Sequence, residues 1–295
     1  MLEGYRGKPV AGGADVPHAT GCRLARHAPL HYRPAMRGRL RFSVCLLLLT
    51  SLPAAAAESP QVLLQRMKAW LEPNQPGTRQ LTMLVRSGAE SVEWTAAQAR
   101  GSRDGGRFAL TVLLAPPDLR GTALLVEERD GKPNREWLYL PYLRRVREVL
   151  PADEFEAFLN TEFTYADLGF VGLRERTLKL LGPDTVDGVA AVKVQETPKD
   201  QRTFRRIVTW LVPATGQPLK REYYDVADRL WKVETFQDVA DIHGVPTAQR
   251  VRMEDVQTGF GSEYRATRIA FGAPIPPELF DPAHLSKAAD SPAWK

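Results

Sequence analysis

Residues 219–255 read LKREYYDVADRLWKVETFQDVADIHGVPTAQRVRMED. Three runs rich in β-branched and aromatic side chains, 219–224, 230–239 and 247–255, are parted by Asp225-Val226-Ala227-Asp228 and by His243-Gly244. Side chains alternate between the two faces of a strand, so Trp231 and Val233 oppose Lys232 and Glu234, and Val251 and Met253 oppose Arg250 and Arg252. That alternation predicts an antiparallel meander with one dry face, and something must cover that face.

The same rhythm extends in both directions. Turn signals recur at Asp104-Gly105-Gly106, Asp130-Gly131, Asp184 to Gly188, Thr215-Gly216 and Gly259 to Gly261. They divide the chain into further candidate strands at 80–87, 91–99, 107–114, 122–128, 136–140, 144–149, 173–181, 190–196, 204–212 and 264–271. Helical signals are few. Ser59-Pro60 is a start signal, and Leu63, Met67, Trp70 and Leu71 share one face before Pro73 and Pro76-Gly77 end the element. Between Pro151 and Gly172 two short helices are expected: one with Phe155, Phe158 and Leu159 on a face, and one opened by the capping box of Thr164 and Asp167 ahead of Leu168. These three helices are the expected cover of the dry face.

Residues Met36 to Ala57, MRGRLRFSVCLLLLTSLPAAAA, carry the three-part layout of a secretory signal: basic residues Arg37, Arg39 and Arg41, a short apolar core, and Ala55-x-Ala57. Cleavage is expected before Glu58, with residues 1–35 an untranslated or disordered extension and residues 58–295 one β domain. The division changes the charge. The whole chain of 295 residues has a net charge of +5, but the first 57 hold eight of the 40 basic side chains and two of the 35 acidic ones. Residues 58–295 are left with 32 against 33, near −1. A nucleic-acid footprint, which needs a clustered basic face, loses its support. Both cysteines, Cys22 and Cys45, precede the cleavage point, so disulfides and thiolate metal sites are not expected beyond it.

Nucleophilic catalysis needs a base held beside an activated side chain. Beyond residue 57 the only histidines are His243, in the turn Asp241-Ile242-His243-Gly244, and His284, near the C-terminus. No Gly-x-Ser-x-Gly, phosphate-binding glycine loop or paired-histidine motif is present. Asp153-Glu154 and Glu127-Glu128 read as a helix first turn and a strand end. No enzyme, metal or cofactor is expected. Arg144, Arg145 and Arg147 read first as a solvated strand edge and second as a basic rim.

Several segments stand in an order that resembles a known family: Met83-Leu84-Val85-Arg86, Leu119-Arg120-Gly121-Thr122-Ala123-Leu124-Leu125, Trp137-Leu138-Tyr139-Leu140-Pro141, Arg144-Arg145-Val146-Arg147, Phe163-Thr164-Tyr165-Ala166-Asp167-Leu168 and Leu219-Lys220-Arg221-Glu222-Tyr223-Tyr224-Asp225. The chain is similar over 63–285 to the LolA-like outer membrane lipoprotein-sorting proteins. It departs from them where Phe158-Leu159-Asn160-Thr161-Glu162-Phe163 replaces a glycine-containing Phe-Met-Gly-Ser-Asp-Phe segment. The resemblance implies a mainly β fold, a curved antiparallel sheet forming an incomplete barrel under short helices. It also implies a soluble monomeric periplasmic carrier that moves lipid or lipoprotein acyl chains from an inner-membrane transporter towards an outer-membrane acceptor. A lipid-sensing regulatory or exporter-accessory protein is the alternative on the same fold. Met83, Val85, Tyr139, Phe155, Phe158, Phe163, Tyr165 and Trp231 are the expected cargo-binding residues. No basic gating residue is assigned from the sequence.

Overall fold

A computed structural model describes residues 58–129, 132–171 and 175–295. The expected extension, signal segment and cleavage point lie outside the described residues. The first element is α1 (Pro60–Leu71), where Ser59 accepts the Val62 N–H and Pro60 occupies the first turn; its Leu63, Leu64, Met67 and Trp70 are buried.

The strands then run β1 (Gly77–Ser87), β2 (Glu90–Arg103), β3 (Gly106–Ala115), β4 (Ala123–Glu128), β5 (Arg135–Leu140) and β6 (Arg145–Val149). After the short helix α2 (Tyr165–Leu168) come β7 (Arg176–Val186), β8 (Val189–Pro198), β9 (Arg206–Leu211), β10 (Pro218–Tyr224), β11 (Leu230–Ile242), β12 (Val245–Asp255) and β13 (Gly261–Phe271). All thirteen join one antiparallel sheet in the order β6-β5-β4-β3-β2-β1-β13-β12-β11-β10-β9-β8-β7. Two meanders are therefore stitched together by the β1–β13 pairing, in which Met83 faces Tyr264. The edges β6 and β7 do not pair, so the curved sheet is an incomplete barrel, as expected.

Three expectations are corrected. The first helix between Pro151 and Gly172 does not form. Leu159 and Asn160 take φ values of 49° and 62°, and the Phe158 N–H donates to the Phe163 carbonyl, so the chain folds back as a loop with an Ala157–Thr164 bridge. Burial of Phe158 and Phe163, both nearly sealed from solvent, outweighs the local helical spacing. The capping box survives: Thr164 and Asp167 bond each other's backbone N–H at the start of α2.

The second correction concerns β11, whose inward face is the charged one. Lys232, Glu234 and Phe236 are buried, while Trp231 and Val233 are half-exposed. The third is that the sheet is dry on both faces over β2 to β5. One core, with Leu81, Met83, Trp94, Leu113, Leu124 and Leu138, lies under α2 and the loop before it. The other lies on the opposite face, where Ala97, Leu110, Val112, Ala123 and Leu125 meet Leu279, Phe280, Leu285 and Trp294. Those last residues belong to three consecutive 3₁₀ segments, Pro277–Phe280, Pro282–Asp290 and Pro292–Trp294. The apolar runs Phe108 to Leu114, broken only by Thr111, and Ala123 to Val126 are the sequence signature of strands buried on both sides. Among the described residues, no helix is long and apolar enough to cross a membrane.

Candidate functional site

A cavity of about 830 Å³ opens on the concave side of the sheet. Its wall comes from β1, β2 and β7 to β13, and its cover from the end of α1, the loop at Pro151 to Phe155, and the α2 segment through Phe170. The volume falls within the ordinary range of small-ligand sites, roughly 300 to 1,000 Å³. Trp70, Leu71, Phe155, Phe204, Ile207, Phe236, Val251, Met253 and Phe271 supply apolar lining. The Phe155 and Phe204 rings meet edge to face at 4.9 Å, and Phe204 meets Tyr223 in the same way at 6.0 Å. Such contacts leave a space because thirteen strands enclose more room than their inward side chains fill.

Of the eight residues expected to bind cargo, Phe155 and Trp231 line this cavity. Trp231 donates its indole N–H to Asp255 at 2.8 Å. Met83, Phe158, Phe163 and Tyr165 are buried in the core beside it, and Val85 packs partly buried against that core. Phe158 meets Tyr165 at 6.1 Å, and Phe163 meets Tyr264 at 5.4 Å. Tyr139 stands on the other face of the sheet, against the C-terminal core. Arg147 lies on the edge strand β6 with its guanidinium 3.4 Å from the Tyr165 hydroxyl.

The side chain that fastens the cover is Arg100, on the inward phase of β2 shared by Trp94, Ala96 and Gln98. It donates one N–H to the Leu71 carbonyl at the end of α1 and another to the Gly169 carbonyl after α2, both at 2.9 Å. Its guanidinium carbon sits 5.5 Å from the Phe170 ring centroid. Burial and the nearby Arg79 pull its pKa down to about 10. A charged donor on the phase that Trp94 and Ala96 mark as inward was the available signal in the sequence, and alternation alone finds it. A second fastening joins the same elements: Glu72, buried at the end of α1, accepts from the Val171 N–H and pairs with Lys68. Lys232 holds the preceding loop, donating to the Glu162 carbonyl at 2.9 Å and pairing with its carboxylate at 2.8 Å.

The wall formed by β7, β8, β10 and β11 is charged as well. Arg221 meets Glu234 at 3.2 Å, and the Tyr223 hydroxyl donates to the same carboxylate at 2.9 Å. Arg176 meets Glu196 at 2.7 Å. Burial raises Glu234 to about 7, against the opposing pull of Arg221 and with the help of Asp167. Tyr223 is raised well above its ordinary value, by burial first. Among the described residues, no group of three His, Cys, Asp or Glu side chains is placed to hold a metal.

Three solved structures share the fold. A domain assigned to outer membrane lipoprotein sorting, from Vibrio parahaemolyticus, is 25% identical with a TM-score of 0.70, over 76% of this chain and 97% of that one. A DUF1329 family protein from Desulfovibrio piger is 22% identical with a TM-score of 0.69, over 77% of this chain and 100% of that one. A LolA superfamily protein from Nitrosomonas europaea is 17% identical with a TM-score of 0.61, over 76% and 98%. No curated protein matches the sequence. A family model described as "-like: Uncharacterized protein" matches residues 105–287, more than half of the chain. The chain therefore belongs to that family of uncharacterized proteins, and its fold is the LolA-like one of the outer membrane lipoprotein-sorting proteins.

Proposed function

We propose that the chain is a periplasmic carrier for lipidated or otherwise hydrophobic cargo, handing it from an inner-membrane source towards an outer-membrane acceptor. The observation that carries this reading is the aromatic-lined cavity of about 830 Å³ beneath a cover fastened by two bonds from one side chain, Arg100. A carrier must bind and release, and the cover is fastened by separate charge-assisted bonds, two from Arg100 and one that Glu72 accepts from the Val171 N–H, each worth roughly 1.5 to 3 kcal/mol, so it can open without unfolding the sheet. The cargo energetics suit reversible binding. Burying about 15 methylenes of a 16-carbon chain at about 0.8 kcal/mol each gives near 12 kcal/mol. Immobilisation costs roughly 4 to 15 kcal/mol, so net affinity is at best about micromolar.

The signal-like segment Met36 to Ala57 supports export, and the scarcity of catalytic motifs supports a binding role over chemistry. The test is to purify the protein from the periplasm, identify bound lipids by native mass spectrometry, and titrate it with a fluorescent acyl probe. Acyl-bearing molecules in the cavity and saturable displacement are expected. Protein that is free of lipid and indifferent to the probe would overturn the carrier reading.

A further inference from the structure

A cavity meant for hydrocarbon alone has no use for buried charge. Removing a carboxylate or guanidinium from water costs several kcal/mol, repaid only by well-placed partners, and apolar residues of the same size would serve better. The concave wall nevertheless carries two separate charged poles.

The basic pole is on β1 and β2. Arg79 donates its Nε–H to Gln98 at 2.6 Å and stands 5.4 Å from the Tyr264 ring centroid. Arg100, its neighbour, spends its donors on the two carbonyls of the cover. Among the described residues neither guanidinium has a carboxylate within ion-pair distance; burial first and Arg79 second depress the pKa of Arg100, and Glu72, the carboxylate that acts on it from further away, is already paired with Lys68 and Arg107, so the pole has room for an anion.

The acidic pole is on β8, β10 and β11. Glu196 is 2% exposed, and its Oε2 pairs with Arg176, but its Oε1 has no hydrogen-bond partner among the described residues. Glu234 is 6% exposed and shares Arg221 with the fields of Glu196 and Asp167. Three carboxylates thus lean on two guanidiniums; on the cavity wall the unpartnered Glu196 oxygen asks for an N–H donor and the unpartnered Arg221 Nε–H for an acceptor, the two halves of a zwitterion. The two poles approach each other. Tyr264 on β13, between β1 and β12, lies within electrostatic reach of Arg79 and Arg100 and also of Glu234. β1 and β11 are three strand spacings apart, roughly 14 Å along the sheet, and the long side chains reach inward across the curve from both sides.

We propose that the cavity selects single- or double-chain amphiphiles with a zwitterionic phosphate and primary-ammonium head, the phosphate against Arg79 and the ammonium against Glu234 and Glu196. This assignment rests on the carrier reading and names its cargo class. The acyl chain takes the aromatic lining around Phe155, Phe204 and Phe236. A primary ammonium fits better than a quaternary one because the open Glu196 oxygen is an acceptor and needs a hydrogen to receive.

The experiment is calorimetric titration of the purified protein with three lipids of one acyl length, below their micelle concentrations: lysophosphatidylethanolamine, lysophosphatidylglycerol and monoacylglycerol. The zwitterion is expected to bind about tenfold or more tightly than either of the others, the usual size of one charge-assisted hydrogen bond. Arg79→Gln should close the gap to monoacylglycerol, and Glu234→Gln the gap to the anionic lipid. Equal affinities for the three lipids in the unmodified protein, or tightest binding of the anionic lipid, would overturn the head-group assignment and leave the carrier reading standing. No binding of any of them would remove both. The ranking by the unmodified protein needs no variant, so it remains decisive if either substitution prevents folding.

Discussion

Phe155 and Phe158 are three residues apart, yet the fold gives them different work. Phe158 is 0% exposed, its ring against Tyr165 and its N–H bonded to Phe163. Phe158→Ala should cost roughly 3 to 5 kcal/mol of stability, leaving the lipid affinity of the folded fraction unchanged. Phe155 lines the cavity and touches Phe204, so Phe155→Ala should cost about 1 kcal/mol of stability while weakening acyl binding. Denaturant unfolding and acyl-probe titration of both variants distinguish the roles, and the opposite pairing of effects would refute this division. Glu234 gives a second prediction. Its pKa rises from 4.5 to about 7 on folding, so between those values the native state holds a proton that the unfolded state has lost. Stability from this group is complete below pH 4.5 and is lost as pH rises towards 7, by roughly 3 kcal/mol. Unfolding free energies measured from pH 4.5 to 8 should therefore fall less steeply for Glu234→Gln than for the parent protein. Parallel profiles would show that this carboxyl is ionised throughout.

Elements differ in how much of them the residues announce. α1 was legible because its signals are local: Ser59 caps it, Pro60 starts it, and Leu63, Met67 and Trp70 repeat on one face. The strands were legible for the same reason, with turn residues such as Asp187-Gly188 and His243-Gly244 in left-handed conformations at their ends. What alternation cannot say is which phase points inward. β11 shows the two faces clearly, but the polar cavity takes Lys232 and Glu234, a preference set by Arg221 and Tyr223 on the neighbouring strand and by Glu162, 70 residues away in the chain. Tyr139 turned outward because the C-terminal segments made a second dry face there. Gly216 illustrates a contact between elements that only the fold exposes. It has φ +76°, and a Cβ there would lie 2.4 Å from the Arg66 carbonyl carbon of α1. Gly216→Ala must displace the hairpin or the helix, at a cost of roughly 2 to 4 kcal/mol from strain and overpacking together. Gly188, with φ +81° and open space around it, is the control, and Gly188→Ala should cost only about 1 kcal/mol. Since Leu71 at the end of α1 accepts from Arg100, Gly216→Ala should also speed acyl-probe exchange, measured by stopped-flow displacement. Equal stability losses at the two glycines would mean that the α1 contact is soft.

At the scale of the molecule, one sheet separates two cores with separate duties. The concave side holds the cavity, while the convex side of β2 to β5 is sealed by residues 277–294, where Phe280 stacks on Phe108 at 5.8 Å and the Trp294 indole donates to Ala288 at 2.7 Å. Gln80 on β1 donates in turn to the Trp294 carbonyl, which ties the last residues to the centre of the sheet. Phe280 is 1% exposed, so Phe280→Ala should cost roughly 3 to 5 kcal/mol. At about 2 to 4 °C per kcal/mol for a chain of this size, the melting midpoint should drop by roughly 6 to 20 °C. Cargo affinity should hold, because strand backbones and not side chains connect that face to the cavity. Arg100→Leu should differ in kind: it leaves the Leu71 carbonyl and the buried Gly169 carbonyl without their donor, at roughly 1 to 3 kcal/mol each, and it also loosens the cover, so acyl exchange quickens. Measuring melting midpoint and exchange rate on both variants tells them apart. If Phe280→Ala accelerated exchange as much as Arg100→Leu, the two faces would be mechanically coupled through the sheet, and the convex core would count as part of the binding apparatus.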